Sequence, residues 1–177
     1  MKNQVIRRGK FDSAHRLLNS ASKCRNLHGH EYHYELVFSW REAQASGFAI
    51  DFSDLKRMAC AWFDRAFDHA FIANACDRSF LELCHNEGLR SYQMNLCGAG
   101  GFCNPTAENI AKEMFYACQT LLSSENLEIS NIRLQETSNC FVVCSGLSDL
   151  ESRTLRGSRL DEELRAFRMD QMDTFHL

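Results

Sequence analysis

Residues 24–30 read CRNLHGH and place one cysteine and two histidines within a single short segment. Side chains alternate between the two faces of an extended strand, so His28 and His30 are predicted to point to the same side. Their imidazoles can then share a metal ion, and a glycine at position 29 permits another backbone to approach closely. The pattern therefore indicates a candidate metal site, although HxH pairs also occur by chance among ordinary surface or core histidines.

His15 is the natural third ligand, because the preceding predicted strand ends in FDSAHRLL and carries Phe11, Ser13 and His15 on one face. Three histidines would leave one zinc position open, which is typical of catalytic zinc, whereas structural sites usually have four protein ligands. Cys24 fits either arrangement. It would close the site as a fourth ligand, or it would stand beside the metal as a thiolate base, since a nearby metal or imidazolium lowers a thiol pKa.

Four other residues carry possible chemistry, and each also has an ordinary structural explanation. Asp68 could orient His69 for proton exchange with a thiol, or the two could simply terminate a helix. Glu136, in LQETSN, could accept two hydrogen bonds from a guanidine-like ring edge, or it is a solvated residue at the end of a strand. Thr106 stands where a helix is predicted to begin, and capping accounts for it.

Length and composition favour one globular domain with a substantial core. The chain has 177 residues, 45% of them hydrophobic and 24% charged, and its net charge of −3 gives no footprint for nucleic acid or for a membrane surface. The N-terminus lacks the apolar stretch of a signal peptide, so the nine cysteines are expected to be reduced thiols of a cytoplasmic protein. Cys97 and Cys103 flank a glycine-rich stretch whose spacing matches no common zinc pattern.

The predicted order of elements is strand, strand, helix, irregular region, helix, strand, strand. This order favours an α+β domain with helices on one face of an antiparallel sheet. Ser53 is the expected cap of the first helix, and a hairpin turn is expected at Ser138 and Asn139. The irregular region is expected to hold a short helix and a short strand. We assign residues 1–146 to this domain and residues 147–177 to a helical C-terminal extension.

Six sequence blocks together resemble one known family. FDSAHRL, KCRNLHGHEY, IDFSDLK, DHAFI, NPTAENIA and LQETSN occur in the order and at roughly the spacings of the 6-pyruvoyltetrahydropterin synthase family. The compact CxxxHGH segment resembles its bacterial 6-carboxy-5,6,7,8-tetrahydropterin synthase branch, which supplies the 7-deazaguanine route to queuosine. The resemblance implies the T-fold (tunnelling fold), a four-stranded antiparallel sheet with two helices on one face. It also implies that three subunits close a barrel and that two barrels stack into a homohexamer.

The resemblance also implies a role for each candidate residue. The implied roles are zinc ligands for His15, His28 and His30, catalysis for Cys24, Asp68 and His69, and substrate binding for Glu136 and Thr106. The implied reaction converts 7,8-dihydroneopterin triphosphate to 6-carboxytetrahydropterin with loss of acetaldehyde and triphosphate. Two alternatives remain open at this point: a 6-pyruvoyltetrahydropterin synthase or related pterin lyase, and a non-catalytic zinc-binding protein of the same fold.

Overall fold

One mixed sheet organises the protein, which is described here from a computed structural model covering residues 3–43, 47–96 and 103–173. The order of its strands is β4-β3-β1-β2-β5-β6. The strands are β1 (Asn3–His15), β2 (His28–Trp40), β3 (Ala70–Ala73), β4 (Ser91–Gln93), β5 (Leu127–Thr137) and β6 (Cys140–Cys144).

Helices connect and cover the strands. They are α1 (Phe52–Leu55), α2 (Ala61–Phe67), α3 (Arg78–Asn86), α4 (Ala107–Leu122), α5 (Asp149–Leu155) and α6 (Arg159–Asp173). A π-helical turn, Lys56–Cys60, joins α1 to α2, and a short 3-10 turn, Lys23–Arg25, lies between the first two strands. The element order and the expected α+β class are therefore confirmed, including a short helix and a short strand in the region that looked irregular from sequence.

The antiparallel ladder between β1 and β2 sets the register of the histidines. His15 lies directly opposite His28, and Ser13 lies opposite His30. β5 pairs antiparallel with β2, and β6 pairs antiparallel with β5, which completes the expected four-stranded antiparallel sheet. The two short strands β3 and β4 extend this sheet in parallel beyond β1. The expected four-stranded antiparallel sheet is therefore confirmed, and the two short parallel strands bring the number of strands in the whole sheet to six.

The main core lies between the sheet and the helices α2 and α4. Trp62, Phe63, Ile110 and Met114 are all buried there, against aromatic and aliphatic side chains of β1, β2 and β5. The first helix is capped by Asp51, whose carboxylate accepts a hydrogen bond from the Ser53 backbone at 2.8 Å. The expected cap at Ser53 was therefore wrong by two positions.

The C-terminal extension docks onto the core. Ser148 and Glu151 form a capping box at the start of α5. Leu160, Leu164 and Phe167 of α6 are buried, and the Phe167 ring meets the Trp62 ring edge-on at 5.7 Å between centroids. The extension therefore covers the outer surface of the helical layer, while the division of the chain at residue 146 stays a prediction.

Most of the described cysteines are free thiols, as expected. Seven cysteines of the described chain are free thiols: Cys24, Cys60, Cys76, Cys84, Cys118, Cys140 and Cys144. Cys103 is disulfide-bonded, so the expectation of reduced thiols fails at this residue. Cys97 lies outside the described residues, and the expectation for that position stays open.

Among the described helices, none combines the length and the apolar character needed to cross a bilayer.

Candidate metal centre and adjoining cavity

Three histidines converge at the end of the β1–β2 ladder. Ligand nitrogens of His15, His28 and His30 all lie within 4.8 Å of one another. Their ring centroids form a compact triangle, with separations of 4.5 Å, 5.3 Å and 5.1 Å. Gly29 lies between the two histidines of β2, where an added Cβ would approach the Ser13 carbonyl oxygen to 3.1 Å. The close backbone approach expected at this glycine is therefore present.

Backbone carbonyls orient two of the three rings. Nδ1 of His15 lies 2.7 Å from the Pro105 oxygen, and Nδ1 of His28 lies 2.7 Å from the Asn26 oxygen. A carbonyl oxygen only accepts, so each Nδ1 carries the proton and each Nε2 presents a lone pair. Outer hydrogen bonds of this kind fix the tautomer and orientation of metal-binding histidines.

Burial keeps His15 in the form that binds metal. The side chain is only 3% exposed, and this burial lowers its pKa from the ordinary value, although the Pro105 carbonyl and the Glu136 charge act in the opposite direction. A neutral imidazole is the ligand form, and three imidazoles suit zinc. The donor set in the structure therefore fits the metal that the sequence indicated.

Cys24 does not belong to the metal-binding group. Within the described residues, the three histidines form the only group of at least three His, Cys, Asp or Glu side chains with ligand atoms this close together. Cys24 is half-buried in the 3-10 turn, where Ser22 caps its backbone N–H at 3.2 Å. This arrangement favours an open three-histidine site beside a free thiol over a closed four-ligand site.

A cavity of about 320 Å³ brings four of the predicted site residues together. Its lining consists of His15, Leu17, Cys24, Thr106, Ala107, Glu108, Glu136, Cys140, Phe141 and Val142. Thr106 both lines this cavity and caps α4, because its side chain accepts a hydrogen bond from the Asn109 backbone at 3.3 Å. The cavity therefore combines a buried metal ligand, a thiol, a carboxylate and a helix start.

Tyr32 connects the metal centre to the carboxylate. Its hydroxyl donates to Glu136 Oε1 at 3.1 Å and lies 3.4 Å from Nδ1 of His15. Burial, followed by the nearby Glu136 charge, raises the Tyr32 pKa far above its ordinary value, so the hydroxyl stays protonated and remains a donor. Oε1 of Glu136 also lies 3.7 Å from Nε2 of His15. Tyr32 and His15 thus contact the Glu136 carboxylate from the protein side, while the Glu136 side chain remains 27% exposed.

Asp68 and His69 form the expected pair, but they lie away from Cys24. Nδ1 of His69 is 2.7 Å from Asp68 Oδ2, and the other carboxylate oxygen accepts from the Asp12 backbone at 3.0 Å. Burial would raise the Asp68 pKa, but these two hydrogen bonds outweigh it and leave the pKa below its ordinary value. His69 has a φ of 54°, a left-handed conformation uncommon for residues other than glycine. Its side chain is 73% exposed.

The His69 side chain faces a second and larger cavity, of about 700 Å³, that also reaches His30. Asp12, Glu31 and Arg90 line its polar part. Cys24 and Glu136 are absent from this lining, so one chain does not bring the Asp68–His69 pair into the smaller cavity. The metal-binding group lies between the two cavities, with His15 lining the smaller and His30 the larger.

Sequence reasoning missed Tyr32 and the carbonyl partners of the histidines. Tyr32 follows His28 and His30 in the same alternating run, so the period-two pattern already placed it on their face. The Pro105 carbonyl comes from a segment 90 positions away from His15. No local pattern in the sequence predicts such a contact.

The fold and the site together define a T-fold domain that carries a three-histidine group suited to hold a metal ion. The family model described as 6-pyruvoyl tetrahydropterin synthase matches residues 4–146. The chain therefore belongs to the 6-pyruvoyl tetrahydropterin synthase family.

Curated relatives and solved structures agree with this placement. The chain is 37% identical over 144 residues to the 6-carboxy-5,6,7,8-tetrahydropterin synthase of Rickettsia felis, covering 78% of this chain and 97% of that protein. It is 32% identical over 141 residues to the enzyme of that name from Haemophilus influenzae, with coverage of 78% and 95%. The 6-pyruvoyl tetrahydropterin synthase structure from Caenorhabditis elegans superposes with a TM-score of 0.59 at 22% identity, covering 83% of this chain and 97% of that one.

Proposed function

We propose that the protein is a zinc-dependent 6-carboxy-5,6,7,8-tetrahydropterin synthase. It would convert 7,8-dihydroneopterin triphosphate to 6-carboxytetrahydropterin, with loss of acetaldehyde and triphosphate, as a cytoplasmic step of queuosine synthesis. The observation that carries this proposal is the cavity shared by His15, Cys24 and Glu136, which places a metal ligand, a thiol and a carboxylate around one space. The curated relatives of that name supply the substrate class.

Glu136 would bind the pterin ring through its carboxylate. Paired N–H donors on the ring edge match the two carboxylate oxygens, and such charge-assisted bonds are strong and directional. The Tyr32 hydroxyl restrains Oε1 from the protein side, so the carboxylate keeps one orientation. The ring would then enter the cavity in a fixed pose, which is a positioning contribution to catalysis.

Cys24 would act as the base. Its thiolate would take a proton from the side-chain carbon next to the ring, which Glu136 holds within the same cavity. His15, His28 and His30 would hold the zinc ion, which when bound supplies Lewis-acid polarisation of substrate oxygen. The Asp68–His69 pair would return protons, with Asp68 accepting from Nδ1 so that Nε2 of His69 faces outward.

A second copy of the chain would complete the site. Asp68 and His69 precede β3, on one side of β1, whereas Cys140 and Phe141 of the smaller cavity belong to the opposite edge strand β6. If subunits join edge to edge in a ring, the β4 edge of one subunit, next to β3, meets the β6 edge of the next subunit. The Asp68–His69 pair of one subunit would then face Cys24 of its neighbour within the proposed homohexamer.

Product analysis tests the proposed reaction. Zinc-loaded protein would be incubated with 7,8-dihydroneopterin triphosphate, and the products would be identified by mass spectrometry. The proposal predicts 6-carboxytetrahydropterin and acetaldehyde. A pyruvoyl product would instead assign the 6-pyruvoyltetrahydropterin synthase activity, and no turnover with zinc bound would leave a non-catalytic zinc-binding T-fold protein.

Co-expression of two inactive variants tests the shared site. Cys24→Ala and His69→Asn would each be inactive alone, and they would be produced together and purified as mixed oligomers. If Cys24 and His69 of different subunits meet, some sites in the mixture are intact and activity returns. If both residues act within one chain, every site keeps one defect and the mixture stays inactive.

A further inference from the structure

Asn104 crosslinks two segments that border the metal centre. Its side-chain oxygen accepts from the Leu18 backbone N–H at 2.9 Å, and its side-chain nitrogen donates to the Leu18 oxygen at 3.0 Å. Asn74, which is fully buried, donates to the same Asn104 oxygen at 2.7 Å. These partners fix the amide orientation, because a flipped amide would present N–H groups to two donors.

The crosslink lies next to the bond that orients His15. Asn104 directly precedes Pro105, whose carbonyl accepts from Nδ1 of His15. Leu18 lies three residues after His15 in the segment that leaves β1. The pair of bonds to Leu18 therefore holds the His15 segment against the Pro105 segment, at the point where the carbonyl and the imidazole meet.

The same crosslink reaches Cys24 through the neighbouring residue. Leu17 donates its backbone N–H to the Cys24 carbonyl at 2.8 Å, and this bond anchors the 3-10 turn that carries the thiol. The Asn104 carbonyl also accepts from Asn109 Nδ2 at 2.9 Å, which ties the network to the first turn of α4. Hydrogen bonds thus connect Asn104 to the segments that carry His15, Cys24 and Thr106, three residues that line the smaller cavity.

We propose that Asn104 is a positioning residue that sets the orientation of the His15 ligand and the placement of Cys24 together. It does not itself line the cavity, and it acts through Pro105 and Leu18. The role in turnover rests on the proposed function, but the effects on metal binding and on thiol accessibility do not require any turnover.

Zinc affinity and Cys24 alkylation test this role. Competition with a chromophoric chelator would give the zinc affinity of wild type, Asn104→Ala and Asn104→Asp. Loss of an outer partner of a metal ligand typically costs about 10–100-fold in affinity. Asn104 acts one contact further from the ligand, so Asn104→Ala is expected to bind zinc up to about tenfold more weakly. Asn104→Asp keeps the acceptor oxygen for Leu18 and Asn74 but places a second acceptor oxygen against the Leu18 carbonyl, so it is also expected to weaken zinc binding. In metal-free protein, mass spectrometry would show faster iodoacetamide alkylation of Cys24 in both variants.

Tyr116→Phe is the matched control. It removes a buried hydrogen bond to Asp161, of 2.9 Å, between α4 and α6 and away from the metal centre. It should lower thermal stability while leaving zinc affinity and Cys24 alkylation unchanged. If both Asn104 variants match wild type in the two assays, or if Tyr116→Phe alters them as strongly, Asn104 has no positioning role. Should Asn104→Ala not fold, Asn104→Asp decides the question alone.

Discussion

The hydrogen bond from Tyr32 to Glu136 is expected to orient the carboxylate for the proposed binding of the pterin ring. Tyr32→Phe removes the hydroxyl that donates to Glu136 and leaves the ring and its packing in place. Hydrogen bonds to charged groups contribute about 1.5–3 kcal/mol, so KM is expected to rise roughly tenfold or more, with kcat changed much less. Steady-state kinetics on 7,8-dihydroneopterin triphosphate would measure both.

Tyr34→Phe is the control for this substitution. Tyr34 is another buried tyrosine on the same face of β2, and its neighbour is the Cys60 thiol rather than the Glu136 carboxylate. It should reduce stability without raising KM. An equal rise in KM for both variants would contradict the role given to Tyr32.

At the residue scale, the alternating pattern of β2 was enough to predict His28 and His30 on one face, and the same pattern reaches Tyr32. The Pro105 carbonyl that orients His15 could not be predicted, because it comes from a distant segment of the chain. The spacing of residues 24–30 also could not decide whether Cys24 is a fourth metal ligand or a free thiolate base. The two roles separated only when the distances showed that the cysteine lies outside the three-histidine group.

At the element scale, an ion pair fastens α3 to the end of β1. Arg16 donates two hydrogen bonds of 2.7 Å to Asp77, whose side chain is 2% exposed. Burial would raise the Asp77 pKa, but the Arg16 bonds and charge outweigh it and lower the pKa below the ordinary value of 3.8. A carboxyl with a lowered pKa in the folded state stabilises the protein above its unfolded pKa, and this contribution is lost as pH falls through the folded value.

Asp77→Asn is therefore expected to cost about 1–3 kcal/mol at neutral pH. The variant should also lose less stability than wild type as pH falls below about 3.8, because it lacks the carboxyl that titrates there. Urea unfolding at several pH values would measure both effects. A variant whose stability falls with acid as steeply as that of wild type would show that the pair contributes nothing to folding.

The docking of α6 gives a second prediction at the element scale. Phe167 is 5% exposed against the core, whereas Met169 on the same helix is 67% exposed. Phe167→Ala is expected to cost about 3–5 kcal/mol of unfolding free energy, and Met169→Ala about 0.5 kcal/mol or less. Denaturant unfolding compares the two, and zinc affinity should not change in either. Equal effects would mean that the extension is not packed as described.

Sequence patterns predicted some of the strands and helix ends but not others. The long strands β1, β2 and β5 were predicted because their runs are long and alternating. The short strand β3 has four buried residues without alternation, and its pairing with β1 is decided by packing. The Ser53 cap was misplaced because Asp51 and Ser53 are both good capping residues, and only the helix geometry selects between them.

At the scale of the whole molecule, the edge strand β6 exposes apolar side chains. Phe141 is 52% exposed and Val143 is 56% exposed. An exposed apolar edge is a ready template for pairing with another chain, which supports a ring of subunits. Light scattering should give the homohexamer as a sixfold multiple of the 20.3 kDa chain.

Val143→Lys should dissociate this assembly and abolish activity, because a charged residue on an edge strand opposes pairing. Leu150→Lys, at a 72% exposed position of α5, is the control and should leave the assembly intact. A wild-type chain that is monomeric and fully active would contradict the shared site.

Cys24, beside the three histidines, is proposed to perform pterin chemistry. The most direct measurement is acetaldehyde release from 7,8-dihydroneopterin triphosphate by zinc-loaded wild type, Cys24→Ala and Cys76→Ala, the last being an exposed cysteine outside the cavity. We expect release by wild type and Cys76→Ala, and none above background by Cys24→Ala with zinc still bound. Undiminished release by Cys24→Ala would rule out Cys24 as the essential base, and no release by zinc-loaded wild type would rule out the proposed reaction.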